Sequence, residues 1–349
     1  MIPVFDGHND FLQRLLAADA DPRAIWNGSE GRGHIDLPRM RAGGMFGGFF
    51  ALWAPSAPYG DGIDWKARQE NPPYAVPLAP ENDPDAATAH MFRLCARLAA
   101  LERGGEVLIC RDVGGIIAAK HAGRIAVILH MEGAEGIADL DDLHLWHALG
   151  LRSLGPVWSR SNKWGHGVPF AFPAGPDTGP GLTPAGCELI AECDRMRILV
   201  DLAHLNARGV EDVARISTAP LVSTHSGAWA ISPSTRNLTD PQLDLIASTG
   251  GLVGLNFAAG FTRPDGRRLP FSGFDPYLRH LDHLLEKLGE SGVALGSDFD
   301  GALMPRDLPD AAALPAFLDA MRAHGYDEPL IEKIAWKNWI DLLERSWAR

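Results

Sequence analysis

The chain alternates. Short apolar runs recur at 2–5, 46–53, 125–130, 151–158, 197–202, 220–224, 251–257 and 292–296, and helical patterns fill most of the gaps. Most of these runs are continuously apolar rather than alternating, the pattern of strands buried on both faces. The helical patterns lie at 85–103, 184–196, 207–216, 240–249 and 276–290, with Thr183 and Thr239 placed as N-terminal caps. Strands alternating with helices build βαβ units and a parallel sheet. Eight strands in 349 residues predict an α/β fold of the (β/α)8 TIM-like barrel type, one domain over residues 1–349, with its active-site loops at the C-terminal face. An open doubly wound sheet is the alternative. Its dinucleotide-binding form is disfavoured, because no G-x-G-x-x-G follows the first run.

Two stretches, 54–84 and 159–184, are rich in Pro and Gly and leave the pattern directly after a run. A barrel puts both on its C-terminal face, as lids or binding loops. The segment 331–347 is amphipathic and reads as a closing helix. Lys and Arg number 32 against 44 Asp and Glu, a net charge of -12, which argues against a nucleic-acid partner. No apolar run reaches the ~18–20 residues of a membrane span, and the N-terminus lacks the pattern of a signal peptide. Cys95, Cys110, Cys187 and Cys193 fit no disulfide framework or zinc spacing. The expectation is four free thiols in a reducing cytoplasm.

The chemistry gathers at the ends of the runs. His8 and Asp10 close the first, Glu132 the third, Asp201 and His204 the fifth, His225 the sixth, and Asp298 with Asp300 the eighth. A barrel would bring these ends into one ring. His8 and Asp10, two apart on an extended segment, point to the same face and make a ligand pair for a divalent metal. His204 and His225 suit a second ion, and Glu132 has two oxygens with which to bridge both. Two ions roughly 3.5–4 Å apart hold a hydroxide between them and polarise a carbonyl. Asp300 reads as a structural turn residue. His34, His90, His121, His144, His147, His280 and His283 read as surface or core histidines.

The segments DGHND, LHMEG, DLAHLN, THSGA, SPSTRNLTD and GSDFDG occur in that order. With them the chain resembles the membrane (renal) dipeptidase family, a branch of the amidohydrolase superfamily, from Phe5 through Asn338. The resemblance implies a zinc-dependent dipeptidase with two Zn2+ per chain and a dipeptide as its partner, cleaved by attack of a metal-bridging hydroxide. By motif, His8 and Asp10 hold one zinc, His204 and His225 the other, and Glu132 bridges. Asp298 matches the family's acid/base, and Arg236 the arginine that binds the substrate carboxylate. A homodimer is also implied.

One position departs from the pattern. The animal relatives carry a substrate-contacting histidine after strand four, where this chain has Trp158 in LGPVWSRSNKWGHG. Trp158 is therefore a candidate substrate-binding residue, and His166 and Arg160 are the nearby groups to replace the histidine. Trp53, Trp164 and Phe170 are further candidates for the pocket wall. Hydrolysis of another amide, a lactam or an N-acyl amino acid, and a non-catalytic ligand-binding relative are the alternatives.

Overall fold

The structure, a computed structural model, describes residues 1–16 and 21–348. Eight parallel strands organise it: β1 (Val4–Asn9), β2 (Met45–Trp53), β3 (Ile125–Glu132), β4 (Leu151–Gly155), β5 (Leu199–Val200), β6 (Val222–Ser226), β7 (Leu252–Leu255) and β8 (Val293–Leu295). They form a curled mixed α/β fold. β1 through β5 pair in chain order in one sheet, and β6 through β8 pair in a second. Every residue of β1 and β3 is buried, including the polar residues Asp6, His8 and Asn9 of β1 and His130 and Glu132 of β3. An added strand, Val107–Ile109, pairs with the start of β3. Because every ladder among these strands is parallel, their C-terminal ends emerge on one side.

The sheets meet at two seams, where the pairing thins to single parallel bridges: Asp201 with Val222, and Asn9 with Phe299. Leu202 N–H donates to Val222 O and Asp10 N–H to Phe299 O, both at 2.8 Å. This corrects the expected strand 197–202. β5 has only two residues, because Asp201 spends its carboxylate on Thr224 N–H (2.7 Å) and Ala203 N–H (3.0 Å) and turns the chain. The approach across the interior is close. A Cβ on Gly7 of β1 would lie 2.5 Å from Thr224 O of β6 and 2.9 Å from Leu295 O of β8. Glycine is the residue that fits there. Phe5, Phe49, Ile128, Leu199, Val222, Leu252 and Ala294 come from seven of the eight strands and form one apolar cluster with Trp339. Trp339 Nε1–H donates to Leu295 O (2.9 Å), so its one polar atom is satisfied.

The five expected helices are present at Pro84–Arg103, Pro184–Met196, Ala207–Ile216, Asp240–Ser248 and Asp275–Leu288. Thr183 Oγ1 accepts from Gly186 N–H (3.0 Å), and Thr239 N–H donates to Gln242 Oε1 (2.9 Å), the cap interactions their positions promised. The closing helix is broken into Glu328–Glu332, a π-turn at Lys333–Lys337 and Asn338–Trp347. Cys187 and Cys193 lie on Pro184–Met196, and all four cysteines are free. Among the described residues no helix is long and apolar enough to cross a membrane.

Candidate active site

The residues at the strand ends converge. Glu132, the last residue of β3, is the hub: its Oε1 lies 3.1 Å from His204 Nε2, 3.5 Å from His225 Nε2 and 3.6 Å from His8 Nε2. His8 Nε2 also lies 3.5 Å from Asp10 Oδ2. His204 Nε2 and His225 Nε2 are 3.2 Å apart, and the His8 and His225 rings stack with centroids 3.9 Å apart. Donor atoms of His8, Glu132 and His225 fall within 4.8 Å of one another, as do those of His8, Asp10 and Asp298. All six side chains are buried. Residues spread over nearly the whole sequence thus form one polar knot above the apolar cluster, where parallel strands conventionally present reactive groups.

Two hydroxyls aim the imidazoles. Ser159 Oγ pairs with His204 Nδ1 and Thr224 Oγ1 with His225 Nδ1, each at 2.8 Å, which turns both Nε2 atoms toward Glu132. Neither nitrogen of His8 has a hydrogen-bond partner. His204 and Asp298 sit at φ 67° and 59°, in the left-handed region, where a non-glycine residue stores of order 1–3 kcal/mol of strain. Asn256, just past β7, donates from Nδ2 to Asp298 Oδ2 (3.0 Å) and accepts the Ala258 N–H on Oδ1 (2.5 Å). Sequence reading missed Asn256, Ser159 and Thr224. Their only signal was position: Thr224 precedes His225, and Ser159 follows Trp158.

The electrostatics follow from burying three carboxylates with one another. Burial and the neighbouring carboxylates push Glu132 up to about 8 and Asp298 up to about 6. Burial disfavours a charged His8, but Glu132 and Asp10 outweigh it and lift its pKa to about 10. Burial, with help from nearby cations, holds His204 and His225 well below the ordinary histidine value. The knot therefore has two neutral imidazoles whose lone pairs face inward, and three crowded carboxylates that hold His8 in its protonated form.

A cavity of about 370 Å³ opens over the knot, with Asp10, Glu132, His204 and Asp298 at its base. Trp53, Trp158 and Phe170 wall it. Trp158 packs on His204 (ring centroids 5.6 Å), Trp53 (5.3 Å) and Phe170 (5.7 Å). Trp164 does not line the cavity; it is buried elsewhere, with Nε1–H on Ala134 O (2.9 Å). Neither group expected to replace the missing histidine reaches the cavity. His166 pairs with Ser161 on a short hairpin, and Arg160 is fully buried on Glu135 Oε1 (2.6 Å), Ser56 Oγ (2.8 Å) and Ala54 O (2.7 Å). With its guanidinium committed to these partners, Arg160 ties the roots of the two excursions together. Arg236 is buried behind Phe261, donates to His225 O (3.2 Å) and leaves its Nε without a partner. Asp300 is structural, as expected: it accepts the His34 N–H at 2.6 Å.

Known proteins are similar to this chain. The model of the family described as membrane dipeptidase (peptidase family M19) matches residues 1–346. A metallo peptidase from Rhodobacter sphaeroides, solved with a phosphinate mimic of the dipeptide L-Ala-D-Ala, is 54% identical, superposes with a TM-score of 0.96 and covers 99% of each chain. An uncharacterized protein in the pqqA 5′ region of Klebsiella pneumoniae is 42% identical over 246 residues, 70% of this chain and 91% of its own. An amidohydrolase from Pseudomonas aeruginosa, 19% identical over 99% of this chain and 97% of its own, has the same fold with a TM-score of 0.75. The chain belongs to the membrane dipeptidase family, peptidase family M19, a family of metallo-dipeptidases.

Proposed function

We propose that this chain hydrolyses the peptide bond of dipeptides at a site that holds two zinc ions. The observation that carries the reading is the convergence of three imidazoles on one oxygen of Glu132, at 3.1, 3.5 and 3.6 Å. The donor set fits metal ions. His8 has two buried ring nitrogens without a hydrogen-bond partner, and three buried carboxylates crowd around that one ring. Unpaired buried charge is costly, and a divalent ion removes that cost. His8 and Asp10 would hold one ion, His204 and His225 the other, and Glu132 both. When bound, the ions would lower the pKa of a water and polarise the scissile carbonyl.

The chain's own groups do the rest. Asp298, fixed by Asn256, takes a proton from the attacking water and delivers it to the leaving amine nitrogen. A carboxyl lifted to about 6 is suited to both halves of that transfer near neutral pH. Arg236 presents an unpartnered N–H and holds the substrate's C-terminal carboxylate, which limits the length of peptide that fits. Trp158, Trp53 and Phe170 exclude water and bound the acyl side.

We read the framework as one closed eight-stranded barrel over the whole chain. The two seam bridges and the shared apolar cluster support that closure, and the family match over 1–346 supports one catalytic unit. The free thiols support a reducing compartment, the cytoplasm, and the family resemblance supports a homodimer. The deciding experiment is metal analysis of the purified protein followed by initial rates on a dipeptide panel. About two zinc ions per chain and turnover of free, but not C-terminally blocked, dipeptides is the expected result. Turnover of blocked and free substrates alike would overturn it.

A further inference from the structure

The cavity has two ends of opposite charge. Its base carries Asp10, Glu132 and Asp298, while Lys66 and Arg268 are its only cationic lining side chains among the described residues. Lys66 lies on the short helix Trp65–Arg68 in the first excursion and is exposed; Arg268 follows β7 by a loop and is half-buried. No described carboxylate lies within ion-pair reach of either, although the chain carries 44 acidic residues against 32 basic ones. Asp300, the remaining acidic lining residue, is already taken by His34 N–H (2.6 Å) and Arg14 Nη1 (3.4 Å).

The position of the pair is fixed by the backbone. Arg268 N–H donates to Gln69 O (2.9 Å), Arg267 Nε–H to Glu70 O (2.9 Å), and Tyr74 Oη–H to Gly266 O (3.2 Å). These three bonds lace segment 266–268 to segment 69–74, so that two loops far apart in sequence hold their cations on one lip. On the proposed function Arg236, which lies at depth beside His225, serves the main-chain carboxylate. A dipeptide with neutral side chains has no second carboxylate to offer the lip, whereas one with an acidic side chain does.

We propose that Lys66 and Arg268 form a second carboxylate-recognition station, and that the preferred substrates are dipeptides bearing an aspartate or glutamate side chain. This rests on the dipeptidase reading. Recognition is by a charge-assisted, partly solvated contact, worth a selectivity of roughly tenfold for Glu over the isosteric Gln.

The test uses zinc-loaded, full-length protein and four pairs of substrates, with Glu or Gln at either position and the C-terminal residue in either hand. The ratio of kcat/KM for Glu over Gln should exceed about fivefold in at least one pair. That ratio should fall toward one in Arg268→Gln and in the Lys66→Gln, Arg268→Gln double variant. Arg268→Glu should turn the preference toward Lys-bearing dipeptides. A ratio at or below one in every pair, with the Gln dipeptides turned over, overturns this inference and leaves the dipeptidase reading standing. An equal loss on Glu and Gln substrates in Arg268→Gln also overturns it, by assigning Arg268 to the main-chain carboxylate. If no dipeptide is turned over, both fall together.

Discussion

His8 and His280 are both completely buried, and nothing in their exposure tells them apart. Their partners do. His280 accepts the Ala228 N–H on Nδ1 (2.9 Å) and points Nε2 at Thr262 O (3.1 Å), so each ring nitrogen of a neutral imidazole is used. Burial pushes its pKa down to about 4. His8 uses neither nitrogen for a hydrogen bond and faces carboxylates instead, which hold its pKa near 10. One ring is architecture; the other is the ring proposed as a metal ligand. The difference shows that burial alone does not mark a functional histidine, whereas an unfilled bonding capacity among like charges does.

The contrast can be broken or sharpened by substitution. The largest effect belongs to Glu132→Gln, which removes the anionic hub: metal analysis should show lost ions and turnover should fall to background, and retention of both ions would undo the assignment. Asp298→Asn should keep its metals and lower kcat by about 10²–10⁴-fold, since it removes only the proton carrier. Unchanged kcat with a full metal complement would exclude Asp298 as acid/base. Ser159→Ala, which frees His204 to rotate, should weaken metal affinity by roughly 10–100-fold, as read by competition with a chelator. His280→Ala should do the reverse. It leaves the Ala228 N–H unpaired and costs about 1–3 kcal/mol in denaturant melts, while metal affinity stays put.

The smallest effect is on pH. In metal-stripped protein the raised pKa values of His8 (about 10) and Glu132 (about 8) mean that the folded state binds more protons than the unfolded one. The contribution of His8 to stability is complete below 6.5 and is lost as pH climbs through about 10. Glu132 acts with the same sign through about 8. On the proposed function a metal ion held by His8 and Glu132 displaces these protons, so its affinity should rise over the window in which the bare fold weakens. Calorimetric titrations at pH 7 in two buffers of different ionisation enthalpy count the protons released. Release of none would contradict the assigned protonation.

Much of this was legible in the sequence, for identifiable reasons. Strands buried on both faces announce themselves as continuous apolar runs, and the residues that follow them land on one face by parallel topology alone. That is why His8, Asp10, Glu132, His204, His225 and Asp298 can be picked out from the sequence. What escaped depends on distance across the chain. Asn256 reaches Asp298 over 42 positions, and Arg160 reaches Ala54 over 106. Nothing local to LNFAAG or WSRSNK signals either contact. The helix Val113–His121 escaped for another cause: Gly114 and Gly115 sit in its first turn and mimic a loop, while the Asp112 side chain caps it on Gly115 N–H (2.7 Å). Strand β5 was overdrawn because Asp201 ends the ladder with its side chain, which no apolar pattern records.

The left-handed backbone at Asp298 has an evolutionary consequence. Glycine would sit there without conflict, so Asp298→Gly should yield a sturdier but inert protein. A search for heat-tolerant variants without selection for turnover would drift toward that exchange. On the proposed mechanism it is the reaction that keeps aspartate at this turn.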